Sequence, residues 1–196
     1  MSELEIVAAV LSAAAVFLGV RQSLWNWPLG IVSVLLYVAV FARARLYADA
    51  GLQVVYAAMN AYGWYGWRFG GAHRTALPMT RTPVRLWPLL AGLAVVGSLL
   101  LGWSFARFTD AALPYLDSAL TAVSLVAQWM MTRKLLEHWL VWIAVDLVYV
   151  PMYVSRQLYP TAALYLVFLG LAVAGYLAWR RDWRATRDAP PLPAAA

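Results

Sequence analysis

Polar and aromatic side chains recur at steps of three, four or seven residues in three apolar stretches of the sequence, so each set lies on one face of a helix. Such groups are costly in hydrocarbon and usually face the interior of a helix bundle or a cavity. The pattern therefore predicts an aromatic-walled polar cavity with one carboxylate, Asp146, at membrane depth. The three sets are Trp139, Trp142, Asp146, Tyr149 and Tyr153; Thr121, Ser124, Gln128 and Thr132; and Gln53, Asn60, Trp64 and Trp67.

The predicted cavity suits a ligand with a flat ring, hydroxyl groups and a positive charge. Aromatic faces attract a cation by about 0.5–2 kcal/mol, depending on desolvation, and an ionised Asp146 adds charge complementarity. In the internal repeat described below, Asp146 aligns with Val34. The two halves of the cavity therefore differ in polarity at this level, and an asymmetric ligand is expected. We predict that the substrate is bound by Gln128, Asp146, Trp142, Tyr149, Asn60, Trp64, Trp67, Ser124 and Gln53.

Structural roles are the alternative interpretation of these side chains. Ser124 can bond its own helix backbone, Gln128 and Asn60 can join neighbouring helices, and Asp146 can pair with an arginine or stay protonated. Because ionisable residues within membrane segments usually mark functional sites, we favour a ligand or gating role for Asp146.

The sequence predicts neither an enzyme nor a cofactor or metal site. It contains no cysteine, which excludes disulfides and thiolate ligands. Its two histidines, His73 and His138, lie far apart and outside metal-ligand spacing. No Gly-x-Ser-x-Gly elbow, P-loop or His-Glu-x-x-His motif is present. We therefore predict no catalytic residue, no metal and no cofactor.

Composition predicts a membrane protein. Hydrophobic residues make up 64% of the 196 residues and charged residues 12%, against roughly 45–50% and about 25% in soluble domains. Apolar stretches of about 20 residues are long enough to cross a bilayer. They predict an all-α integral membrane protein with seven transmembrane helices, roughly at 4–21, 25–43, 46–68, 86–107, 112–133, 137–156 and 158–180.

An internal repeat organises these helices. Residues 21–68 align with 133–180 without gaps and with fifteen identities in 48 positions; we call residues that coincide in this alignment repeat mates. Three helices reverse the direction of the chain, so a parallel second copy needs one linker helix. The result is a 3+1+3 fold with parallel repeats, as found in transporters. The predicted parts are a first three-helix unit (1–70), a loop plus linker transmembrane helix (71–111), a second three-helix unit (112–183) and a disordered cytoplasmic tail (184–196).

The fifteen basic residues set the expected orientation. Four fall on the N-terminal side of the predicted spans and eleven on the other side, so the positive-inside rule places the C-terminus in the cytoplasm and the N-terminus outside. Because these residues lie at helix ends, the expected partners are a small-molecule substrate and the lipid bilayer, not nucleic acid; homo-oligomer formation stays open. Fourteen of the fifteen are arginine, which indicates a GC-rich bacterial genome. The expected localisation is the bacterial inner membrane.

Two further predictions concern the helix ends on the basic side. Glu137 and His138 lie beside basic residues at a turn and predict a solvated charge cluster. Tryptophans near helix ends, among them Trp27 and Trp179, predict anchors at the membrane interface.

Several motifs in combination resemble the PnuC-type vitamin-precursor transporters, over roughly residues 20–180. The resemblance implies a 3+1+3 fold related to SWEET sugar transporters and uptake of nicotinamide riboside by facilitated diffusion. Phosphorylation in the cytosol then traps the substrate, so the carrier needs no ATP or ion. The motifs are Trp27-Pro-Leu-Gly30, Leu46-Tyr47-Ala48, Gly63-Trp64-Tyr65-Gly66-Trp67, Ser124-Leu-Val-Ala-Gln128 with Lys134, Glu137-His138-Trp139-Leu-Val-Trp142-Ile-Ala-Val-Asp146, Leu158-Tyr159, Leu164-Tyr165, Gly175 and Trp179-Arg180.

The resemblance also implies that Gln, Asn and Trp side chains of the central helices bind the substrate. In nicotinamide riboside carriers of this family we expect Asn where this sequence has Asp146. A carboxylate there suits the pyridinium of nicotinamide riboside and equally the thiazolium of thiamine. The matching residues here are Gln128, Asn60, Trp64, Trp67, Trp142 and Asp146.

The leading prediction is therefore a uniporter that takes up nicotinamide riboside or a closely related vitamin precursor by alternating access. A thiamine or riboflavin carrier of the same family is one alternative. A proton-coupled transporter that uses Asp146 as its proton site is another. A membrane enzyme or a scaffold subunit is less consistent with the sequence, because no second acid or base accompanies Asp146 and a scaffold needs no polar cavity.

Overall fold

The computed structural model describes residues 3–43, 45, 47–108 and 113–188, which form seven α-helices. Their boundaries agree with the prediction to within two residues, except at the end of the last helix. The helices are α1 (Glu3–Val20), α2 (Asn26–Arg43), α3 (Tyr47–Phe69), α4 (Leu86–Phe108), α5 (Pro114–Thr132), α6 (His138–Ser155) and α7 (Tyr159–Asp188).

The end of α7 corrects the predicted tail. Residues 184–188 are helical, whereas the sequence analysis assigned them to a disordered segment; residues 189–196 lie outside the described residues. The Thr186 hydroxyl donates to the Asp182 carbonyl at 3.0 Å, and the Arg187 guanidinium lies 5.5 Å from the Trp183 ring. The last turn also carries Arg187, whose charge complements the partial negative charge of a helix C-terminus.

Five helices of the described chain are long and apolar enough to cross a membrane: α1, α2, α4, α6 and α7. The sequence analysis predicted seven. The two others, α3 and α5, have 23 and 19 residues, or about 34 and about 28 Å at 1.5 Å per residue, so their length suffices. Their lower apolar content comes in part from polar side chains buried in the protein interior, among them Asn60, Ser124 and Gln128.

The helices pack as two three-helix units and a peripheral helix. In the first unit (α1–α3), α2 packs against both α1 and α3; in the second unit (α5–α7), α6 packs against both α5 and α7. The units meet where α1 packs on α7 and α3 packs on α5, while α4 packs mainly on α5. We call the end of the molecule at which α1, α3, α5 and α7 finish the basic end.

Four tryptophans form the core at the basic end, and we call them the tryptophan core: Trp27, Trp67, Trp139 and Trp179. Each is at most 2% exposed. The interpretation of Trp27 and Trp179 as interfacial anchors was therefore wrong, because both rings pack between helices instead of facing lipid headgroups. The rings come this close because α3 and α7 carry glycine at the contact. A Cβ at Gly63 would overlap the Trp27 ring, and one at Gly175 would lie 2.6 Å from Trp139 Cε2.

Repeat mates make the same contacts within this core. Trp27 and Trp67 meet edge to face at 5.2 Å and 88°, and their mates Trp139 and Trp179 meet in the same way at 5.7 Å and 86°. The turns that precede α2 and α6 also correspond, since Gln22 and its mate Lys134 both have φ of 54°. The two units thus share their internal packing at this end.

The tryptophan core also ties the two units together crosswise. The Trp67 indole of the first unit donates to the Met131 carbonyl of the second at 2.9 Å. The Trp179 indole of the second unit donates to the Gly19 carbonyl of the first at 3.2 Å. Gly19 and Met131 are also equivalent, because the alignment pairs them when it is extended by two positions before residue 21. Each unit therefore donates a tryptophan hydrogen bond to the end of the other unit's first helix, at equivalent residues.

The segment between α3 and α4 packs on the basic end. It contains a short 3-10 helix (Ala72–Arg74), and the isolated β-bridge of the described chain joins Thr80 to Leu135. The predicted solvated charge cluster is wrong at this point, since Glu137 is 5% exposed and His138 is fully buried. The segment and α7 cover both residues, because Glu137 bonds Arg81 and His138 packs on Trp179.

Candidate functional site

A cavity of about 570 Å³ lies between the two units, and α1, α2, α3, α5, α6 and α7 all contribute to its lining. It extends from Glu5, Phe41 and Tyr153, at the end opposite the basic end, to Trp27 and Trp139 of the tryptophan core. Its volume is in the range that takes a small organic ligand. We call it the central cavity.

Seven of the nine predicted substrate-binding residues line the central cavity. They are Gln128, Asp146, Trp142, Tyr149, Asn60, Ser124 and Gln53.

Trp64 and Trp67 are outside the lining, which corrects the predicted site. The last turns of α3 run beside the end of α5, where the Thr132 carbonyl lies 3.5 Å from a Cβ built at Gly66. Trp67 is buried there in the tryptophan core, and Trp64 is 39% exposed on the protein surface. Gln53 and Asn60 of the predicted α3 face line the cavity, but its last two members, Trp64 and Trp67, lie beyond it.

Two amides join α3 to α5 inside the cavity. The Gln128 Nε2 donates to Asn60 Oδ1 at 2.9 Å, and the two residues are 7% and 8% exposed. The two interpretations of these amides, a link between helices and a place in the cavity, are compatible, since the amides join α3 to α5 and also line the cavity. The bond leaves Gln128 Oε1 as an acceptor and Asn60 Nδ2 as a donor. Gly30 on α2 makes room for the pair, because a Cβ there would lie 3.3 Å from Asn60 Nδ2.

Ser124 bonds a tyrosine that the sequence analysis missed. Tyr56 lines the cavity and its hydroxyl is hydrogen-bonded to that of Ser124. The spacing of Gln53, Tyr56 and Asn60 contains the signal, because steps of three and four residues place all three on one face of α3.

Asp146 is a buried carboxylate without a partner in the described part of the chain. It is 3% exposed and lines the central cavity. Neither an arginine nor a hydrogen-bond donor among the described residues pairs with it. The alternative of a structural ion pair is therefore wrong for these residues. A buried carboxylate needs either a proton or a compensating charge, and the cavity beside Asp146 is where a cation can bind.

Stacked aromatic rings wall the cavity toward the end opposite the basic end. Tyr149 and Tyr153 on α6 stack at 5.5 Å and 8°, and Tyr165 on α7 packs against both at 4.7 and 5.0 Å. Tyr37 and Phe41 on α2 form a second stack at 5.9 Å and 22°. The members of the two stacks are repeat mates, and both stacks line the cavity.

Comparison with known proteins points to one family. The family model described as "Nicotinamide mononucleotide transporter" matches residues 2–181. The riboflavin/roseoflavin transporter RibM of Streptomyces davaonensis is 28% identical over 194 residues, covering 96% of this chain and 88% of RibM. The nicotinamide riboside transporter PnuC of Escherichia coli is 26% identical, covering 91% of this chain and 85% of that protein. The PnuC of Neisseria mucosa is 29% identical, covering 89% and 71%.

A solved structure shares the fold. The crystal structure of the vitamin B3 transporter PnuC superposes with a TM-score of 0.73 at 26% identity, covering 93% of this chain and 82% of that one.

Proposed function

The chain belongs to the nicotinamide mononucleotide transporter family, and from this membership we propose that it is a uniporter for nicotinamide riboside or a closely related vitamin precursor. The family is one of transporters, not enzymes. The chain is accordingly a multi-pass membrane protein, and the question that remains is which solute it carries and how.

The unpaired Asp146 carboxylate in an aromatic cavity is the observation that carries the choice of a cationic substrate. Nicotinamide riboside has a cationic ring and a carboxamide, and each has a counterpart in the lining. Asp146 faces the charge and Trp142 and Tyr149 the ring. Gln128 Oε1 and Asn60 Nδ2 offer the acceptor and donor that a carboxamide requires. The second candidate is thiamine, which is also cationic; riboflavin is neutral and could offer Asp146 hydrogen-bond donors but no positive charge.

The proposed mechanism is alternating access between the two three-helix units, with α4 as their linker and all seven helices crossing the membrane. The contacts that recur between repeat mates support two units related by an axis along the membrane normal, the arrangement of parallel-repeat transporters. The resemblance to PnuC-type transporters, with the relation to SWEET transporters that it implies, supports the same design. In this structure the central cavity reaches the end opposite the basic end, while the tryptophan core closes the basic end.

We expect the basic end to face the cytoplasm, because eleven of the fifteen basic residues lie on that side of the predicted spans. A reporter fused after Ala196 should therefore be active in the cytoplasm, and one fused before Met1 should be active outside. A C-terminal reporter that is active only outside would contradict the orientation, and two reporters active on the same side would contradict the odd number of crossings.

We expect purified protein in liposomes to equilibrate nicotinamide riboside without concentrating it, because the resemblance to PnuC-type transporters implies facilitated diffusion. Radiolabelled uptake, with and without a pH gradient, measures this. Protein-free liposomes are the control, and unlabelled thiamine and riboflavin serve as competitors. Accumulation above equilibrium that depends on an inward proton gradient would favour the proton-coupled alternative instead.

A further inference from the structure

Residues 77–82, which we call the strap, cross the basic end and bond to both three-helix units. The Leu77 amide donates to the Trp67 carbonyl at 3.0 Å, at the end of α3 in the first unit. Thr80 pairs with the turn between α5 and α6 in the second unit: its amide donates to the Lys134 carbonyl at 3.2 Å, and its carbonyl accepts from the Leu136 amide at 2.9 Å. The strap therefore joins the two units by backbone hydrogen bonds.

One carboxylate, that of Glu137, holds the far end of the strap. Glu137 Oε1 accepts from Arg81 Nε at 2.7 Å, and Oε2 accepts from the Thr82 amide at 2.7 Å and the Thr82 hydroxyl at 2.9 Å. Burial alone would raise the pKa of Glu137, but these hydrogen bonds outweigh it and hold the pKa below its usual value. The carboxylate is thus ionised, and it bonds three donors from two residues of the strap.

The strap covers the tryptophan core, which in turn forms the floor of the central cavity. Leu77 and Met79 pack against this core, and Trp27 and Trp139 also line the cavity. The indole nitrogens of Trp27 and Trp139 are buried without a hydrogen-bond partner among the described residues. Because buried polar atoms are nearly always bonded, the closed floor leaves donors that water would satisfy once the basic end opens.

We propose that the strap is a latch that holds the basic end closed, and that Glu137 sets the strength of its hold. The proposal rests on the transport function proposed above. In this proposal the basic end opens when the end of α3 separates from the turn between α5 and α6. The strap is bonded to both, but it follows α3 closely in the chain, so it moves with α3 and detaches from the second unit in each transport cycle.

A reversible disulfide tests whether this detachment is required. The chain has no cysteine, so Thr80→Cys and Leu135→Cys introduce the only two thiols. Paired backbone segments lie about 4.8 Å apart, which is within the Cα separation that a disulfide spans. We expect the oxidised double variant to bind substrate but to lose nearly all uptake in liposomes, and a reductant to restore uptake. The single-cysteine variants should transport under both conditions.

Two results would overturn the proposal. The first is an oxidised double variant that transports as fast as the reduced one. The second is failure of the two cysteines to cross-link in folded protein, because the strap would then not lie where the structure places it.

A second measurement needs no substrate and so separates this proposal from the proposed transport function. Leu136 is 2% exposed, packs in the tryptophan core and is not part of the cavity lining. We expect Leu136→Cys to react several times faster with a maleimide in detergent when Glu137→Gln is also present, because the latch is weakened. Asp188→Asn, at an exposed carboxylate on the same end of the molecule, is the matched control and should not change the rate. If Leu136→Cys is labelled at the same rate with and without Glu137→Gln, Glu137 does not hold the strap in place.

Discussion

Replacing Asp146 with leucine is expected to abolish uptake, and replacing it with asparagine is expected to weaken the binding of a cationic substrate by about 1.5–3 kcal/mol, or roughly ten- to 150-fold. Asparagine keeps the shape of the side chain and removes its charge, so it measures electrostatics apart from packing. Leucine also removes both hydrogen-bond acceptors.

The physical reason is the isolation of this carboxylate. It is buried beside the cavity and unpaired among the described residues, so a bound cation would be its nearest compensating charge. Its repeat mate is Val34, which also lines the cavity. No second carboxylate at this level can therefore take over the role.

Uptake and equilibrium binding should be measured together, at equal membrane abundance. Glu3→Gln is the control for a change in net charge, since Glu3 is exposed and absent from the cavity lining. Unchanged uptake by Asp146→Leu would remove Asp146 from the site. Full affinity of Asp146→Asn for nicotinamide riboside, with Asp146→Leu inactive, would instead indicate that the residue only accepts hydrogen bonds.

A large loss of folding stability is expected from alanine at Gly175. The new Cβ would lie 2.6 Å from the Trp139 ring, closer than real contacts allow, and Trp139 is 2% exposed and packed against Trp179 and His138. Overpacking a core costs about 1–3 kcal/mol, occasionally more. The same change at Gly63 should act in the same way, through its overlap with Trp27.

The chain offers a matched control on the same helix. A Cβ at Gly170 meets nothing within 4 Å, and alanine is a better helix former than glycine by about 1 kcal/mol. Gly170→Ala should therefore leave the apparent melting temperature in detergent unchanged or raise it, while Gly175→Ala should lower it clearly. Combining Gly175→Ala with Trp139→Leu should recover part of the loss, because a smaller side chain relieves the overlap. If Gly175→Ala melts like Gly170→Ala, the close packing of the tryptophan core is wrong.

The sequence by itself determined the features that depend on local periodicity. Helix boundaries follow from runs of apolar residues and the polar turns between them, and the structure reproduces six of the seven helices to within two residues at each end. The faces of α5 and α6 were also predictable, because side chains three and four residues apart must share a face. Ser124, Gln128, Trp142, Asp146 and Tyr149 accordingly all line the cavity.

Only the tertiary structure decided how far along each helix the cavity extends. On α3 the predicted stripe continues through Trp64 and Trp67, yet the neighbouring end of α5 and the tryptophan core occupy the space there, so the cavity ends before them. Spacing within one helix contains no information about the depth at which another helix closes the gap.

The environment of the Glu137 charge was likewise beyond what the sequence alone could predict. Next to basic residues in the sequence, Glu137 looked solvated, but a segment from much earlier in the chain folds back and supplies its donors. Its burial and its bonds depend on a contact between distant parts of the chain. Such a contact follows from the packing of the two units on each other, which no local pattern records.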